Sequence, residues 1–237
     1  MLYGIGMSAL GDPFSRRALC KSKRTNLART YLARSRLNKA LSQVNATSPP
    51  VRFTIKYFPY QLYPEASQEG EDKYEWYRRS RYGDSEEKMR MYTTIMTAYG
   101  NAEGIEYKYG GIVANTLHAH RLIQHFQEER GPQIAENMIT SLYRQYFEEE
   151  KHPSNEETLL QAAVEAGISG LEAKSFIEDK NDGLMDVKAQ IREQANNDVD
   201  AVPYVIFEGR KRDFTLVGCK EVGDYVKVLQ QIVKESS

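Results

Sequence analysis

The sequence predicts an α/β fold that carries a large all-helical insertion. Alternating apolar and polar residues, a pattern typical of strands, begin near residue 51, and a short apolar run follows Pro203. Between these two places the apolar residues recur mainly at helical spacing, and several helix-start motifs follow one another. Because the small sheet is then divided between the two sides of a helical block, one α/β domain with an insertion fits better than two independent domains.

Composition and charge argue against several classes of function. The chain has 32 basic and 33 acidic side chains, so its net charge favours neither nucleic acid nor an acidic membrane as a partner. No apolar run approaches the length of a membrane span. Cys20 and Cys219 form no disulfide framework, and no cysteine or carboxylate clusters with the four histidines in a metal-binding pattern. These features predict no metal and a reducing compartment, with the cytoplasm as the first choice.

Residues 1–29 form an atypical, basic N-terminal segment. The first 34 residues hold seven Lys or Arg side chains and a single acid, Asp12. This composition is similar to that of a mitochondrial transit peptide, and a poorly structured N-terminus is the alternative. Basic neighbours would lower the pKa of the Cys20 thiol if this segment were ordered, but an incidental thiol is the favoured interpretation.

The first part of the α/β domain is predicted over residues 30–64. A helix is indicated by apolar residues at helical spacing, namely Tyr31, Leu32, Leu37, Leu41 and Val44. From Val51 to Tyr57, apolar and polar residues alternate as in a half-buried strand. Pro59 is expected to end that strand.

The helical insertion is predicted over residues 65–198. Three capping boxes predict helix starts there: Asp84-x-x-Glu87, Ser154-x-x-Glu157 and Ser169-x-x-Glu172. Pro132 predicts a further start. Aromatic residues among arginines resemble a stacking surface for nucleic acid, but the balanced net charge favours their packing within the insertion. These aromatic residues are Tyr74, Trp76, Tyr77 and Tyr82.

Residues 199–237 are predicted to complete the α/β domain. Pro203 directly precedes a short apolar strand, where a proline removes no ladder hydrogen bond. The preceding peptide bond can be cis at a cost of roughly 0.5–1 kcal/mol. A second strand at 215–217 and an amphipathic helix that includes Val222, Tyr225 and Leu229 follow.

Four segments of the chain, in this order, resemble one family. The most specific is Asn115-Thr116-Leu117-x-Ala119-His120-Arg121-Leu122, which is similar to the N-T-x-x-A-H-R signature of the DsbA-like oxidoreductases of the FrnE group. These proteins are related to 2-hydroxychromene-2-carboxylate isomerases and kappa-class glutathione transferases. The other matching segments are Phe58-Pro59-Tyr60-Gln61-Leu62-Tyr63-Pro64, Leu142-Tyr143-Arg144-Gln145-Tyr146-Phe147 and Ala201-Val202-Pro203-Tyr204-Val205-Ile206-Phe207. The resemblance covers residues 31–235.

The resemblance implies a thioredoxin-like fold and a thiol or disulfide substrate, either a protein or a small molecule. It places four residues along the substrate cleft, namely Asn115, Thr116, His120 and Arg121. It also places Val202 and Pro203 opposite the reactive thiols. For the residues of the insertion, an equally favoured interpretation is a helix cap with a polar contact between domains. No cofactor is required in this family, and the resemblance is compatible with a homodimer.

One departure from the family concerns the reactive thiols themselves. The relatives have a first strand followed by C-P-x-C-Y, and Tyr31 fits the tyrosine of that motif. The four preceding residues are Leu27-Ala28-Arg29-Thr30, so neither thiol is present, and the first strand is expected to be atypical or absent. Because exchange needs an attacking thiolate and a resolving thiol, dithiol chemistry is expected to be lost. A non-catalytic binding protein with a thioredoxin-like fold is the alternative.

Two other residues could take over part of the chemistry. Kappa-type relatives activate glutathione with a serine, so Thr30 at a helix N-terminus is a candidate, although capping or beginning the helix is its favoured role. Gly218 and Cys219 lie in the loop that binds the γ-glutamyl end of glutathione in those relatives. Cys219 beside Lys220 could be acidic enough to form a mixed disulfide, but a small apolar residue at the helix start is favoured. Glutathione is therefore a candidate ligand, and a glutathione-dependent transferase or isomerase is a further alternative.

Overall fold

The computed structural model describes residues 2–9, 27–197, 199 and 201–236. Cys20 and most of the basic N-terminal segment lie outside the described residues. The chain divides into two compact units, which we call the sheet unit and the helical unit. The sheet unit comprises Leu2–Tyr60 and Gln190–Ser237, and the helical unit comprises Gln61–Ala189.

Six strands and nine helices are present in the described part of the chain. The strands are β1 (Leu2–Ala9), β2 (Phe53–Tyr60), β3 (Glu71–Asp72), β4 (Ile112–Val113), β5 (Tyr204–Glu208) and β6 (Phe214–Val217). The helices are α1 (Leu27–Asn45), α2 (Lys73–Tyr82), α3 (Glu86–Glu103), α4 (Leu117–Arg130), α5 (Pro132–Phe147), α6 (Glu156–Glu165), α7 (Gly170–Glu178), α8 (Leu184–Asn196) and α9 (Val222–Ser236). The α/β fold with a helical insertion is confirmed.

The sheet unit contains a four-stranded mixed sheet in the order β2-β1-β5-β6. β1 pairs antiparallel with β2 and parallel with β5, so that Ile5 is paired with Tyr57 on one side and with Val205 on the other. β6 pairs antiparallel with β5. The connection from β1 through α1 to β2 is therefore not a parallel crossover, because the two strands run in opposite directions.

The first strand was expected to be atypical or absent, and since β1 is present, only the second of these alternatives is wrong. β1 occupies the interior of the sheet, well before the helix that begins at Leu27. The sequence showed no strand pattern there because Gly4 and Gly6 interrupt the run, and glycine is depleted in strands. Pro59 also does not end β2, which continues to Tyr60. β2 is an edge strand of this sheet, where a proline is tolerated.

Helices α1 and α9 pack together in the sheet unit. The apolar side of α1 is buried at Leu32, Leu37 and Val44, and that of α9 at Leu229 and Ile232. Both helices were predicted from apolar periodicity, and both predictions are confirmed. The packing of these two faces gives the sheet unit a core that excludes water, which is the main source of its stability.

The helical unit is built around α4 and α5, whose inner faces are buried throughout. Leu122, Ile123 and Phe126 of α4 and Met138 and Leu142 of α5 are fully buried. Pro132 is the first residue of α5, as predicted. The predicted aromatic packing is also confirmed. Tyr77 is buried with Met89 and Val113, against partly buried rings of Tyr63, Tyr74, Trp76, Tyr82 and Tyr92.

Of the three predicted capping boxes, one is confirmed and two are wrong by one residue. Ser169 caps α7 as predicted, since its hydroxyl accepts a hydrogen bond from the amide of Glu172 at 3.2 Å. For α3 and α6 the predicted cap is wrong by one residue, because Ser85 and Asn155 hold the N-cap positions. In both places two adjacent residues are able to cap, and the residue with extended backbone geometry takes the role.

Candidate functional site

The candidate site of the sheet unit lies where β5 begins and β6 ends. Pro203 immediately precedes β5, and Gly218 immediately follows β6. The amide of Gly218 donates a hydrogen bond to the carbonyl of Pro203 at 2.8 Å. The Val202–Pro203 peptide bond is cis, and Gly218 has a φ of 82°, a left-handed conformation that favours glycine. The structure therefore brings four predicted residues together here, namely Val202, Pro203, Gly218 and Cys219. We call this place the β5–β6 corner.

Cys219 is half-buried beside a buried arginine of α1. The guanidinium of Arg36 donates from Nη1 to the Cys219 sulfur at 3.7 Å, to the Lys220 carbonyl at 3.2 Å and to Glu221 Oε1 at 2.7 Å. Arg36 is only 6% exposed, whereas the side chain of Glu221 is 72% exposed. Arg36 thus joins α1 to the loop that leads into α9.

The Cys219 thiol is less acidic than the sequence suggested. Burial raises the pKa of Cys219 above its ordinary value, and Glu221 adds to this rise. The positive charges of Arg36 and Arg29 lower the pKa, but they do not offset the burial. Cys219 also lies three residues before the first residue of α9, outside the first turn of that helix. The less favoured alternative of an acidic thiol at a helix start is therefore wrong.

Thr30 lies inside α1 and neither caps nor begins it. The helix starts at Leu27, which leaves Thr30 in the first turn, with 2% of its surface exposed. Its Oγ1 has no hydrogen-bond partner among the residues that the structure describes. The predictions that Thr30 caps α1 or begins it are therefore both wrong. The hydroxyl is buried in this structure and does not reach solvent.

Asn115 organises the entry into α4 in the helical unit. Its Oδ1 accepts hydrogen bonds from the Leu117 amide at 3.0 Å and from Gln61 Nε2 at 2.7 Å. Its Nδ2 donates to the Pro64 carbonyl at 2.9 Å. The predicted capping role is therefore carried by Asn115, whereas Thr116 holds the N-cap position without a side-chain cap bond.

Arg121 is bound to the carboxyl end of α7. Only 1% of its surface is exposed, and its two terminal nitrogens donate to the carbonyls of Phe176, Asp179 and Asp182 at 2.7 to 3.1 Å. The guanidinium also lies 4.2 Å from the centre of the Phe176 ring. A cation on the last carbonyls of a helix satisfies groups that lack partners within the helix. His120, the next residue back along α4, is fully buried.

The predicted site residues fall in both units. Asn115, Thr116, His120 and Arg121 belong to the helical unit, and the corner residues and Thr30 belong to the sheet unit. Over the described ranges, no three His, Cys, Asp or Glu side chains come together to hold a metal ion. No helix in the same ranges is both long enough and apolar enough to cross a membrane.

Sequence reasoning missed Arg36 and Glu221 as parts of the corner. A charged residue in a helix is ordinarily on the surface, so Arg36 by itself gave no sign that it would be buried. Arg34 is also buried, and its Nε donates to the Tyr57 hydroxyl at 3.2 Å. A signal was present, since Arg36 precedes the fully buried Leu37 and lies four residues before Ala40 on the buried side of α1.

These features belong to a recognised class of protein. Residues 30–230 match the DSBA-like thioredoxin domain, and the chain therefore belongs to that family. Its fold is the DsbA-like thioredoxin fold with a helical insertion. The crystal structure of a probable DsbA oxidoreductase from Streptomyces coelicolor is similar in fold, with a TM-score of 0.69 and 22% sequence identity, over 89% of this chain and 87% of that chain. No curated protein matches the sequence.

Proposed function

We propose that this chain is a DsbA-like protein of the FrnE group that binds thiol or disulfide substrates and does not itself exchange a dithiol for a disulfide. Membership of the DSBA-like thioredoxin domain family supports a thiol or disulfide substrate. The signature from Asn115 to Leu122 supports the narrower placement in the FrnE group.

The observation that carries the proposal is the composition of the first turn of α1. The family's C-x-x-C motif would occupy residues 27–30, which here are Leu27-Ala28-Arg29-Thr30. These four residues begin a continuous helix in which Thr30 is buried. In this proposed alignment the four motif positions hold no sulfur atom.

Cys219 cannot replace the missing pair. Dithiol exchange proceeds by attack of a thiolate on a disulfide, followed by release of the mixed disulfide by a second thiol. The raised pKa of Cys219 keeps most of the group as the unreactive thiol near neutral pH. Cys219 is also the one free cysteine of the described residues, so no resolving thiol from this part of the chain stands beside it.

The β5–β6 corner is the proposed place of substrate binding in the sheet unit. Gly218, Cys219 and Lys220 are half-exposed there, beside the buried Pro203. A half-exposed loop on a rigid strand pair offers backbone groups and a thiol to a ligand without the need to reorganise the core. Binding at this corner requires neither a metal nor a prosthetic group.

A disulfide-exchange assay on the purified chain tests the proposal. We expect the chain to reduce or oxidise a model protein disulfide no faster than the thiol buffer alone, and Cys219→Ala to behave in the same way. Exchange well above the buffer rate would refute the loss of dithiol chemistry. Disappearance of that exchange in Cys219→Ala would then assign it to a single-cysteine mechanism.

Restoring the motif provides a positive control for the fold. In Leu27→Cys/Thr30→Cys the two sulfurs stand three residues apart in the first turn of α1, the spacing of C-x-x-C. We expect the double variant to form an internal disulfide and to acquire exchange activity, whereas each single variant stays inactive. Circular dichroism checks that the double variant folds. If it folds and remains inactive, the assignment of residues 27–30 to the motif is wrong.

A further inference from the structure

Three cationic side chains act on a histidine at the start of α4. The histidine is His118, the second residue of α4, and Arg121 follows it one turn later on the same helix. Lys180 lies between α7 and α8, and Lys188 lies on α8. Among the described residues, the charged groups that act on His118 are these three cations, with no carboxylate to offset them. We call these four residues the His118 cluster.

Hydrogen bonds hold two of these cations at the turn that joins α7 to α8. Arg121 donates to the carbonyls of Asp179 and Asp182 at 2.8 and 2.7 Å. The carboxylates of the same two residues act on Arg121. Lys180 donates to Glu156 Oε1 at 2.6 Å. Because these bonds fix both cations, a positive charge on the histidine cannot be relieved by a simple rotation of either side chain.

The surroundings of His118 disfavour its protonated form. Its Nδ1 atom is buried and has no hydrogen-bond partner among the residues that the structure describes. A protonated imidazole carries hydrogen on both nitrogens, so protonation would leave a buried N–H without an acceptor. The N-terminus of α4 also carries partial positive charge. Burial lowers the pKa of His118 below its ordinary value, and Arg121, Lys180 and Lys188 lower it further.

Helix α8, which carries Lys188, is held by a single buried side chain. Of its 13 residues, Val187 alone is buried, whereas seven of the 14 residues of α4 are buried. Elements with few buried apolar side chains open locally at a lower cost in free energy than the core does. Lys188 directly follows Val187, so a repulsion of Lys188 acts beside the side chain that holds α8.

We propose that His118 is an acid-sensitive switch that releases the start of α8 when its imidazole becomes protonated. In neutral solution the imidazole is uncharged, and α8 stays packed through Val187. Protonation adds a fourth positive charge to the cluster, where it repels Lys188. Release of α8 separates the imidazole from Lys188 and exposes it to water, so the released form binds the proton more tightly. Mild acid therefore shifts the population toward the released form.

The chain passes from the helical unit to the sheet unit within α8. The helical unit ends at Ala189, and the sheet unit resumes at Gln190. Release of α8 would therefore loosen the helix that connects the two units, and each unit would stay folded around its own core. The switch does not depend on the proposed function, since no residue of the His118 cluster lies at the β5–β6 corner.

Hydrogen exchange of the α8 amides at pH 7.5 and pH 5.5 tests the switch on either side of the ordinary histidine pKa of about 6.5. After correction for the intrinsic pH dependence of exchange, we expect protection to be lower at pH 5.5 by up to about tenfold. His118→Gln removes the titrating group and should keep the protection equal at both pH values.

His125→Gln is the matched control for this experiment. His125 is on the same helix but lies 3.4 Å from a carboxylate oxygen of Glu129, so the variant should retain the acid response. Circular dichroism checks that both variants fold. Equal protection at the two pH values in the unaltered chain, or an acid response that persists in His118→Gln, would overturn the proposal.

A second substitution tests whether charge repulsion drives the release. Lys188→Gln removes the exposed cation on α8 and should raise the pKa of His118 and weaken the acid response. Lys88→Gln, at an exposed lysine of α3, should change neither. An NMR titration of the imidazole measures the pKa of His118 in each variant. If Lys188→Gln leaves both the titration and the acid response unchanged, repulsion does not release α8 and the proposal is wrong.

Discussion

The guanidinium of Arg36 donates a hydrogen bond to the sulfur of Cys219 at 3.7 Å, across 183 residues of sequence. This contact ties the middle of α1 to the loop between β6 and α9. Among the described residues, Arg36 is the only cationic side chain within hydrogen-bond range of the Cys219 sulfur. The reactivity of Cys219 therefore depends on a balance between burial, which disfavours the thiolate, and the Arg36 charge, which favours it.

Substitutions of Arg36 and of its partner Glu221 should move the pKa of Cys219 in opposite directions. In a Cys20→Ala background, Arg36→Met removes a positive charge and should raise the pKa of the Cys219 thiol further. Glu221→Gln removes a negative charge and should lower it. The rate of iodoacetamide alkylation as a function of pH measures both shifts. Shifts in the same direction would show that the thiol responds to altered packing and not to these charges.

Arg121→Met should destabilise the helical unit. The substitution leaves the carbonyls of Phe176, Asp179 and Asp182 without a buried donor, which we expect to cost about 3 kcal/mol in the free energy of unfolding. Arg130→Met is the control, because Arg130 stands on the same helix in an exposed pair with Glu172 and should cost less than about 1 kcal/mol. Urea unfolding measures both.

The same pair of variants separates two roles of Arg121. The family resemblance places this residue at a substrate cleft, whereas the structure has its terminal nitrogens bound to the carboxyl end of α7. If Arg121→Met is as stable as Arg130→Met, the carbonyl contacts do not hold α7, and a role toward substrate gains support.

Lys73 should make the stability of the chain rise with pH in mildly alkaline solution. Lys73 is 4% exposed and donates to the Tyr146 carbonyl at 3.0 Å. Burial lowers its pKa to about 8, although Glu150 and Asp72 oppose this shift. The unfolded chain, with an ordinary lysine pKa of about 10.4, binds more protons between these two values. The free energy of unfolding should therefore increase by roughly 2 kcal/mol between pH 8 and pH 10.

A variant isolates this contribution. Lys73→Met should flatten the dependence on pH in this interval, whereas Lys188→Met, at an exposed lysine, should leave it unchanged. The measurements should stop near pH 10, because buried tyrosines then act in the opposite sense. Burial raises the pKa of both Tyr77 and Tyr146 well above the ordinary value. A slope that persists in Lys73→Met would assign the effect to another group.

Local patterns predicted most of the helices because those patterns depend on neighbours along the chain. The periodicity of α4 and α5, the proline that opens α5 and the Ser169 cap of α7 all follow from residues within a few positions of each other. The errors at Ser85 and Asn155 have the same local origin. Each follows directly after another residue able to cap, and the spacing to the next acid does not decide between the two.

The corner could be predicted only in part, because its parts come together through tertiary contacts. Pro203 was identified by its place before a predicted strand, and Gly218 by the resemblance to a loop of the kappa-type relatives. Arg36 was not, since a charged residue in a helix is ordinarily on the surface, and its partner Glu221 is 185 residues away. β1 was missed for a different reason, because its glycines hide a strand that the flanking strands β2 and β5 stabilise by pairing.

Glu165 should make the helical unit sensitive to acid. The carboxylate accepts hydrogen bonds from the Ser141 hydroxyl at 2.5 Å, from Gln161 at 2.8 Å and from Arg144 at 2.7 and 2.8 Å. Partial burial alone would raise its pKa, but these partners outweigh it and hold the pKa of Glu165 at about 2.

Since the unfolded value is about 4.3, the stabilisation is complete above that pH and is lost as the pH falls toward 2. Ser141→Ala removes the buried donor and should raise the pKa of Glu165, so that the loss of stability on acidification is smaller and ends at a higher pH. Thr140→Ala, at the exposed neighbouring hydroxyl, should have no such effect. An NMR titration of the side-chain carboxyl carbon of Glu165 measures the pKa directly, and urea unfolding at pH 5.5 and pH 3 measures its effect on stability. If Ser141→Ala lowers stability equally at both pH values, the hydroxyl contributes by packing, and the carboxylate is held by Arg144 and Gln161 alone.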